Sequence, residues 1–509
     1  MKNRAEIVVA PLLQRVVARM AGLFPELLQP ALRFSAVPPE AAAARSPSAE
    51  SRSDMTTSPV QNWFGSITSS PRKVVEVTSV EEIVSILQDT QQYPSPVRAV
   101  GSNHSTTACG VAEDGTLVVT RRMDRILDIG GDTVTVQAGA LYIDVNQELR
   151  KHGRQFYVNV ELGNLTIGSA CCGGTKDASM PGEFGQIASY AVGMKMVLPD
   201  GTLFQVDESD PELLQVCRSS YGLFGIVYEA TFRVRKLAAM QVHHEKFSLD
   251  EFEAALPELR RRNASMMMYI NPFRDTITIE FREYHDTDGR GLSEWQWKLR
   301  NYVWSHMAPL YGYQVSRLVS WKWLSSALID FYNGLIVFAL TRVIKGEATL
   351  PQAQQIRYPT VTGNSRYTFS IWAFPEDRYI ACLRRYYSLS KDHYARTGYR
   401  INLLSVGYRI LADQSSLFSY SYDGTVITFD PVSTGTLGWE TFLREYNSLC
   451  SELGGVPLFN QTNLLTRSQV ERAFGDRIER FEKHRERFDP HDRLLNTFFA
   501  ELIARREAG

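Results

Sequence analysis

The segment Pro96-Val-Arg-Ala-Val100 reads as a short strand that runs directly into Gly101-Ser102-Asn103-His104-Ser105. In such a turn, successive backbone N–H groups can converge on one point and make a concave anion nest suited to a pyrophosphate. The imidazole of His104 adds one titratable, nucleophilic group beside it. The turn lacks the GxGxxG spacing of a dinucleotide fingerprint, and the chain contains no P-loop. A second stretch, residues 163–185, holds six glycines without helical periodicity. It is read as a loop whose backbone approaches another molecule closely, because glycine has no Cβ to hold it off.

The elements that must position these segments alternate strand and helix. Lys73-Val-Val-Glu-Val77 alternates as a strand does. Thr78-Ser79 then caps a helix with Glu81 and Glu82 in its first turn and Ile83, Val84, Ile86 and Leu87 on its apolar face. Strands are expected at 117–119 and 133–137, a helix at 143–152, and a hairpin at 192–206 about Pro199-Asp200-Gly201. A short helix at 213–220 and a strand at 226–234 follow. Beyond Leu237 the composition shifts: five of the eight tryptophans (295, 297, 304, 321 and 323) fall within residues 291–345 on helix-like spacing. They are read either as the aromatic core of a second domain or as a lid over an apolar pocket. Strands at 367–374 and 401–409 and helices at 441–453 and 466–487 complete the pattern.

Composition narrows the class. The 509 residues suggest two or three domains, and 44% hydrophobic with 11% aromatic content excludes a fibrous or disordered chain over most of the length. Lys plus Arg number 55 and Asp plus Glu 56, a net charge of −1, which argues against nucleic acid as a partner. Six scattered cysteines without a CxxC pair read as buried reduced thiols of a cytoplasmic protein, and no His, Cys or carboxylate spacing suggests a metal. No run approaches the ~18 apolar residues of a membrane span; the densest is 335–340. Residues 36–60, rich in Ala, Pro and Ser, read as a disordered linker. Residues 1–33 are read as an amphipathic anchor that would make the protein peripheral to a membrane, or as a tail appended ahead of Met55.

After the histidine turn come Asn164-Leu-Thr-Ile-Gly-Ser-Ala-Cys-Cys-Gly-Gly-Thr175, the strand pair around Leu198-Pro-Asp-Gly201, and Tyr221-Gly-Leu-Phe-Gly-Ile-Val-Tyr228. This order resembles the FAD domain of the vanillyl-alcohol-oxidase / p-cresol-methylhydroxylase (PCMH) superfamily, and within it the aldonolactone and alditol oxidases. The resemblance resumes at Glu452-Leu-Gly-Gly455 and Arg487-Phe-Asp-Pro-His-Asp-Arg-Leu-Leu-Asn496. It implies an α+β protein: a two-subdomain PCMH-type FAD-binding domain at 61–236 after a tail at 1–60, a substrate (cap) domain at 237–440 built on an antiparallel sheet with helices, and a helical segment at 441–509 that returns to the FAD domain. It implies that Gly101, Ser102, Asn103 and Ser105 cradle the FAD pyrophosphate. His104 falls on the histidine that many members bond covalently to the flavin 8α-methyl carbon. Thr166, Gly168, Ser169, Gly173, Gly174 and Thr175 match the stretch beside the pyrophosphate and isoalloxazine. Ile226 matches a position on the adenine side, and Asn496 lies in the closing motif. The implied activity is oxidation of a CH–OH group by hydride transfer to flavin N5, with O2 or another acceptor reoxidising the flavin.

The substrate side departs from that family. Alditol oxidases carry a Glu-x-Arg pair ahead of an Ala-Asp doublet; here Ala412-Asp413 is present, but the aligned partners are Val406 and Tyr408, with Arg409 one residue off. The glutamate before the lactone oxidases' Tyr-Ala-Ile-Pro becomes Ile371, and their late lysine becomes Gln461. A small substrate less polar than a polyol fits this loss of polar groups, such as an alcohol, a lactol or a ring compound. Tyr408, Arg409 and Gln461 are the candidates for orienting it or taking its proton. Two other readings stay open. Val160-Glu-Leu-Gly-Asn-Leu-Thr-Ile-Gly168 also resembles sterol Δ24-reductases, which would make the protein a C=C reductase. The altered substrate motifs alone would suit a catalytically inactive flavoprotein acting as a binding protein.

Overall fold

The computed structural model describes residues 59–287, 289–346, 348–359 and 367–505. The anchor and most of the linker expected in residues 1–60 lie outside the described residues.

Three parallel strands, β1 (Lys73–Glu76), β2 (Val97–Val100) and β3 (Thr116–Val119), form a small sheet with β3 in the middle. Helix α1 (Val80–Gln88) connects β1 to β2; Ser79 caps it by accepting from the Glu82 N–H, and Ile83, Ile86 and Leu87 form its buried stripe. An antiparallel sheet follows: β4 (Ile126–Ile129), β5 (Thr133–Gln137), β6 (Arg154–Phe156), β7 (Ala191–Val197), β8 (Leu203–Asp207) and β9 (Ile226–Lys236), in the order β8-β7-β9-β5-β4 with β6 on the far end of β9. Its core joins Val134, Val136, Met194 and Phe232 to Phe459, Phe474, Phe481 and Phe499 from the end of the chain. Arg493 completes that return: its guanidinium donates to the carbonyls of Ile86 (2.8 Å) and Leu87 (3.3 Å) at the end of α1.

The third sheet has seven strands: β10 (Ala238–Phe247), β11 (Ser265–Asn271), β12 (Thr276–Asp286), β13 (Trp372–Pro375), β14 (Ser405–Ile410), β15 (Val426–Thr428) and β16 (Val456–Pro457). They run in the order β10-β12-β11-β14-β15-β13-β16, every paired neighbour antiparallel. Mixed helix and sheet with this antiparallel platform is the expected fold class. One face carries the helices Leu249–Leu259, Tyr379–Thr397 and Trp439–Glu452, through Phe252, Leu383, Tyr386 and Phe442.

Three local expectations are corrected. The glycine-rich stretch is not loop throughout, because Ile167–Cys172 closes a helical turn in which Gly168 packs against Ala138 and Ala170, Cys171 and Cys172 are buried. The helix expected at 466–487 is two helices, Arg467–Phe474 and Asp476–Phe488, parted at Gly475, whose φ of 53° no regular helix permits. The expectation that nothing approaches a membrane span also fails. Lys322–Val343 is a single helix of 22 residues, long and apolar enough by composition to cross a bilayer. A search for an unbroken apolar run misses it because Asp330 and Asn333 interrupt the sequence.

Candidate active site

Strand β2 delivers the chain into the turn at Gly101, and residues 61–63 wrap its outer side. The Trp63 N–H donates to the Asn103 carbonyl (3.0 Å), Asn103 Nδ2 donates to the Gln61 carbonyl (3.0 Å), and Asn62 Nδ2 donates to the Ser105 carbonyl (2.9 Å). These bonds hold Asn103 in the left-handed region, at φ 52°, which turns neighbouring N–H groups to one side. Among the described residues, no protein group accepts from the N–H of Ser102, Asn103, His104 or Ser105. That is the condition an anion nest must meet.

The glycine-rich segment crosses this turn at one point. A Cβ on Gly101 would stand 2.0 Å from Thr166 Oγ1 and 2.7 Å from Thr166 Cβ, so the Thr166 side chain fills the space that a side chain at 101 would need. Thr166 Oγ1 lies 3.1 Å from Ser169 Oγ. Further on, the Gly174 carbonyl accepts from Asn460 Nδ2 (2.7 Å), while Thr106 N–H and Thr107 Oγ1 donate to the carbonyls of Asn460 (3.0 Å) and Phe459 (2.7 Å). Residues 458–461 thus bind the turn and the glycine segment together from across the chain.

His104 sits inside this junction, its ring 5.3 Å from that of Trp63. Its Nδ1 is buried and has no hydrogen-bond partner. Burial pushes the imidazole pKa down to about 4, so the ring is neutral near pH 7 and keeps a free lone pair. A buried, unsatisfied ring nitrogen costs about 1–3 kcal/mol in a closed protein. Together with the free N–H groups and the glycine crossing, it fits a site built around a flavin dinucleotide.

Beside His104 opens a cavity with Thr175, Lys176, Tyr408, Asp430 and Gln461 among its lining residues. Its remaining walls are mainly apolar and aromatic, with Leu162, Phe369, Ile371 and Val406 among them, and Glu161 adds a further charged group. Lys176 Nζ lies 2.6 Å from Asp430 Oδ2, with side-chain exposures of 3% and 5%, and 3.6 Å from the centre of the Tyr408 ring. Burial pushes the Asp430 carboxyl up to about 6 against the pull of Lys176, and lowers the ammonium as well. Asp430 Oδ1 is buried without a partner, which leaves one oxygen of the pair free for a ligand.

The residues singled out in the sequence divide. Tyr408 and Gln461 line the cavity with His104 and Thr175. Arg409 does not join them: it follows Tyr408 on β14, where consecutive side chains point to opposite faces, and its Nε lies 2.6 Å from Glu376 Oε1. Ile226 packs in an apolar cluster with Val97, Val197 and Leu494. Asn496 Nδ2 donates to the carbonyls of Ala108 (3.1 Å), Cys109 (3.3 Å) and Val111 (2.9 Å), so its amide ties the chain end to the loop after the turn. Asp413 of the Ala-Asp doublet is buried, where it accepts from Gln186 Nε2 (3.0 Å) and Ser189 Oγ. Sequence reasoning missed Lys176 and Asp430. Both left a signal: Asp430 is the one charge in the apolar run Val426-Ile-Thr-Phe-Asp-Pro-Val432, and Lys176 directly follows the glycine-rich match.

A family model described as an FAD binding domain matches residues 71–207. The chain is 20% identical over 457 residues to the L-gulonolactone oxidase of Mus musculus, an alignment covering 87% of this chain and 98% of that protein. It is 22% identical over 458 residues to an L-gulono-1,4-lactone dehydrogenase of Mycobacterium tuberculosis, with the same coverage, and 28% identical over 184 residues to a D-arabinono-1,4-lactone oxidase of Candida glabrata, which spans 34% of each chain. Among solved structures, a cholesterol oxidase from Brevibacterium sterolicum superposes with a TM-score of 0.68 at 14% identity, covering 91% of this chain and all of that one. The fold is therefore the PCMH-type flavoprotein fold, and FAD is the cofactor.

Proposed function

We propose that this FAD-dependent oxidoreductase of the aldonolactone oxidase and dehydrogenase type oxidises a CH–OH group on a small substrate less polar than a polyol. In this reading residues 61–236 hold the cofactor, 237–440 shape the substrate cavity, and 441–509 close over both. FAD, when bound, supplies the hydride acceptor at N5 and passes the electrons on to O2 or another acceptor. Gly101, Ser102, Asn103 and Ser105 hold its diphosphate with their N–H groups, and the neutral His104 ring offers Nδ1 or Nε2 as a covalent tether.

The single observation that carries the reading is the Lys176–Asp430 pair facing the cavity beside His104. Asp430 Oδ1, free of protein partners, takes the hydroxyl proton of the substrate, and Lys176 holds the carboxylate in place. Tyr408 and Gln461 orient the oxygen that loses its proton. Ile371 and Val406 stand where the lactone and alditol oxidases carry charged groups, so the cavity favours a ring or chain with few hydroxyls.

The test is a panel of alcohols, lactols and lactones followed at the flavin absorbance. The expected result is bleaching by a weakly polar member, with peroxide appearing when oxygen is the acceptor. Rapid bleaching by NADPH, with no response to the panel, would replace this reading by the C=C reductase. A flavin that nothing bleaches would leave a binding protein.

A further inference from the structure

Twelve large hydrophobic side chains are exposed among the described residues, and eight of them lie between Trp295 and Phe338. The helix Lys322–Val343 shows why. One stripe of it, Ile329, Asn333, Ile336 and Leu340, is buried, and with Tyr332 it packs on Met240 and Val242 of the seven-stranded sheet and on Leu403 and Val432 beside it. Two residues round the helix runs a second stripe at the same spacing: Phe331, Leu335, Phe338 and Arg342. Phe331 is 67% exposed and Phe338 55%. At the helix start, Leu318, Trp321 and Trp323 are exposed by 71%, 66% and 69%.

We infer that this face docks on the surface of an anionic phospholipid bilayer, with the helix lying in the interface plane. Three observations select that occupant. Indole rings at the end of an apolar stripe are the side chains that settle at a lipid–water boundary. The charge of this face leans basic: Arg317, Arg342 and Lys345 are exposed with no described carboxylate in ion-pair range, Asp330 is taken by Arg400 and Arg274, Glu294 by Arg150 and Lys298, and Glu347 lies outside the described residues. A second copy of the chain would bring this basic face against itself, because a two-fold interface pairs each patch with its own image. The helix lies on the bilayer and does not cross it, since its buried stripe and Asp330 are fixed to the protein.

Trp304 and Ala308, on the helices that precede Lys322–Val343, line a small second cavity that shares Glu161, Tyr358, Tyr367, Val406 and Val432 with the one beside His104. The docking does not rest on the proposed function.

Flotation of the full flavin-loaded chain with vesicles tests the inference. Binding to mixed phosphatidylcholine–phosphatidylglycerol vesicles is expected, weakening with salt and with pure phosphatidylcholine. Phe331→Ser/Phe338→Ser should lose about tenfold or more in binding, with flavin absorbance and unfolding temperature unchanged, since both rings face solvent. Bromolipids should quench the tryptophan fluorescence of the unaltered protein, and Trp321→Ser/Trp323→Ser should lose most of that quenching. Absence of vesicle binding, or binding that survives both double variants, overturns the inference. So does a dimer, seen by light scattering, that these variants dissociate. Failure of the substrate panel with vesicle binding intact would sink the proposed activity and leave the docking standing.

Discussion

Lys176 Nζ and Asp430 Oδ2 are 2.6 Å apart with both side chains buried, one from the glycine-rich segment and one from the residues just after β15. Neither side chain has water to fall back on. Removing one partner therefore strands a buried charge, at a cost of about 3–5 kcal/mol, whereas replacing both by apolar groups costs far less. Lys176→Met and Asp430→Asn should each lower the urea midpoint strongly, and Lys176→Met/Asp430→Leu should recover most of the loss. Additive losses in that cycle would show that the two groups do not depend on each other.

The same pair sets a pH dependence. With the carboxyl pushed up to about 6, Asp430 cannot accept a proton below that value, so kcat should fall on the acid side near pH 6. Asp430→Asn should lose that limb and lie about 100-fold lower on the plateau. The stability sign is opposite. The unfolded carboxyl, near 3.8, gives up its proton before the folded one, so this group's contribution to stability declines as pH rises from 3.8 to about 6. Kinetics and urea titrations across that window measure both.

At the crossing of turn and glycine segment, Gly101→Ala places a methyl within 2.0 Å of Thr166 Oγ1. Purified Gly101→Ala is expected to lose most of its flavin absorbance. Adding Thr166→Gly removes all three colliding atoms and should restore flavin. No recovery would mean that the turn needs Gly101 for another reason.

Acid precipitation reads the role of His104. Yellow colour should stay with the precipitate of the unaltered protein and pass to the supernatant in His104→Ala. Colour in the supernatant for both would rule out the tether while leaving the diphosphate nest in place.

Tyr408 and Arg409 are adjacent on β14 and should behave as opposites. Tyr408→Phe is expected to lower kcat/KM by about 10–100-fold with little change in stability. Arg409→Ala should keep kcat within about threefold and lose roughly 1–3 kcal/mol, because it leaves Glu376 half-buried with only Arg260, 3.5 Å away, as a counter-charge. A large kcat effect at Arg409 would place it at the reacting atoms after all.

Much of the cofactor side was legible in the sequence because it is local. A strand running into Gly101-Ser102-Asn103-His104-Ser105 declares its turn within five residues, and glycines reveal close backbone approach wherever they sit. Helix starts such as Ser79 with Glu82 are local in the same way. The break at Gly475 and the helical turn at 167–172 were not legible, since each depends on what packs against it.

The chain by itself showed a strand-fed turn with one histidine and, further on, a glycine-rich stretch, and the order of these motifs carried the resemblance that implies a flavin. Which side chains face the substrate was decided only in three dimensions. Alternation along β14 turned Tyr408 inward and Arg409 outward, and that choice belongs to the sheet, not to the residue types. Lys176 and Asp430 stand 254 positions apart, and the exposed stripe of Lys322–Val343 is defined only by the other stripe being taken. Pairings across such separations are set by which surfaces are buried together, and burial is a property of the folded whole.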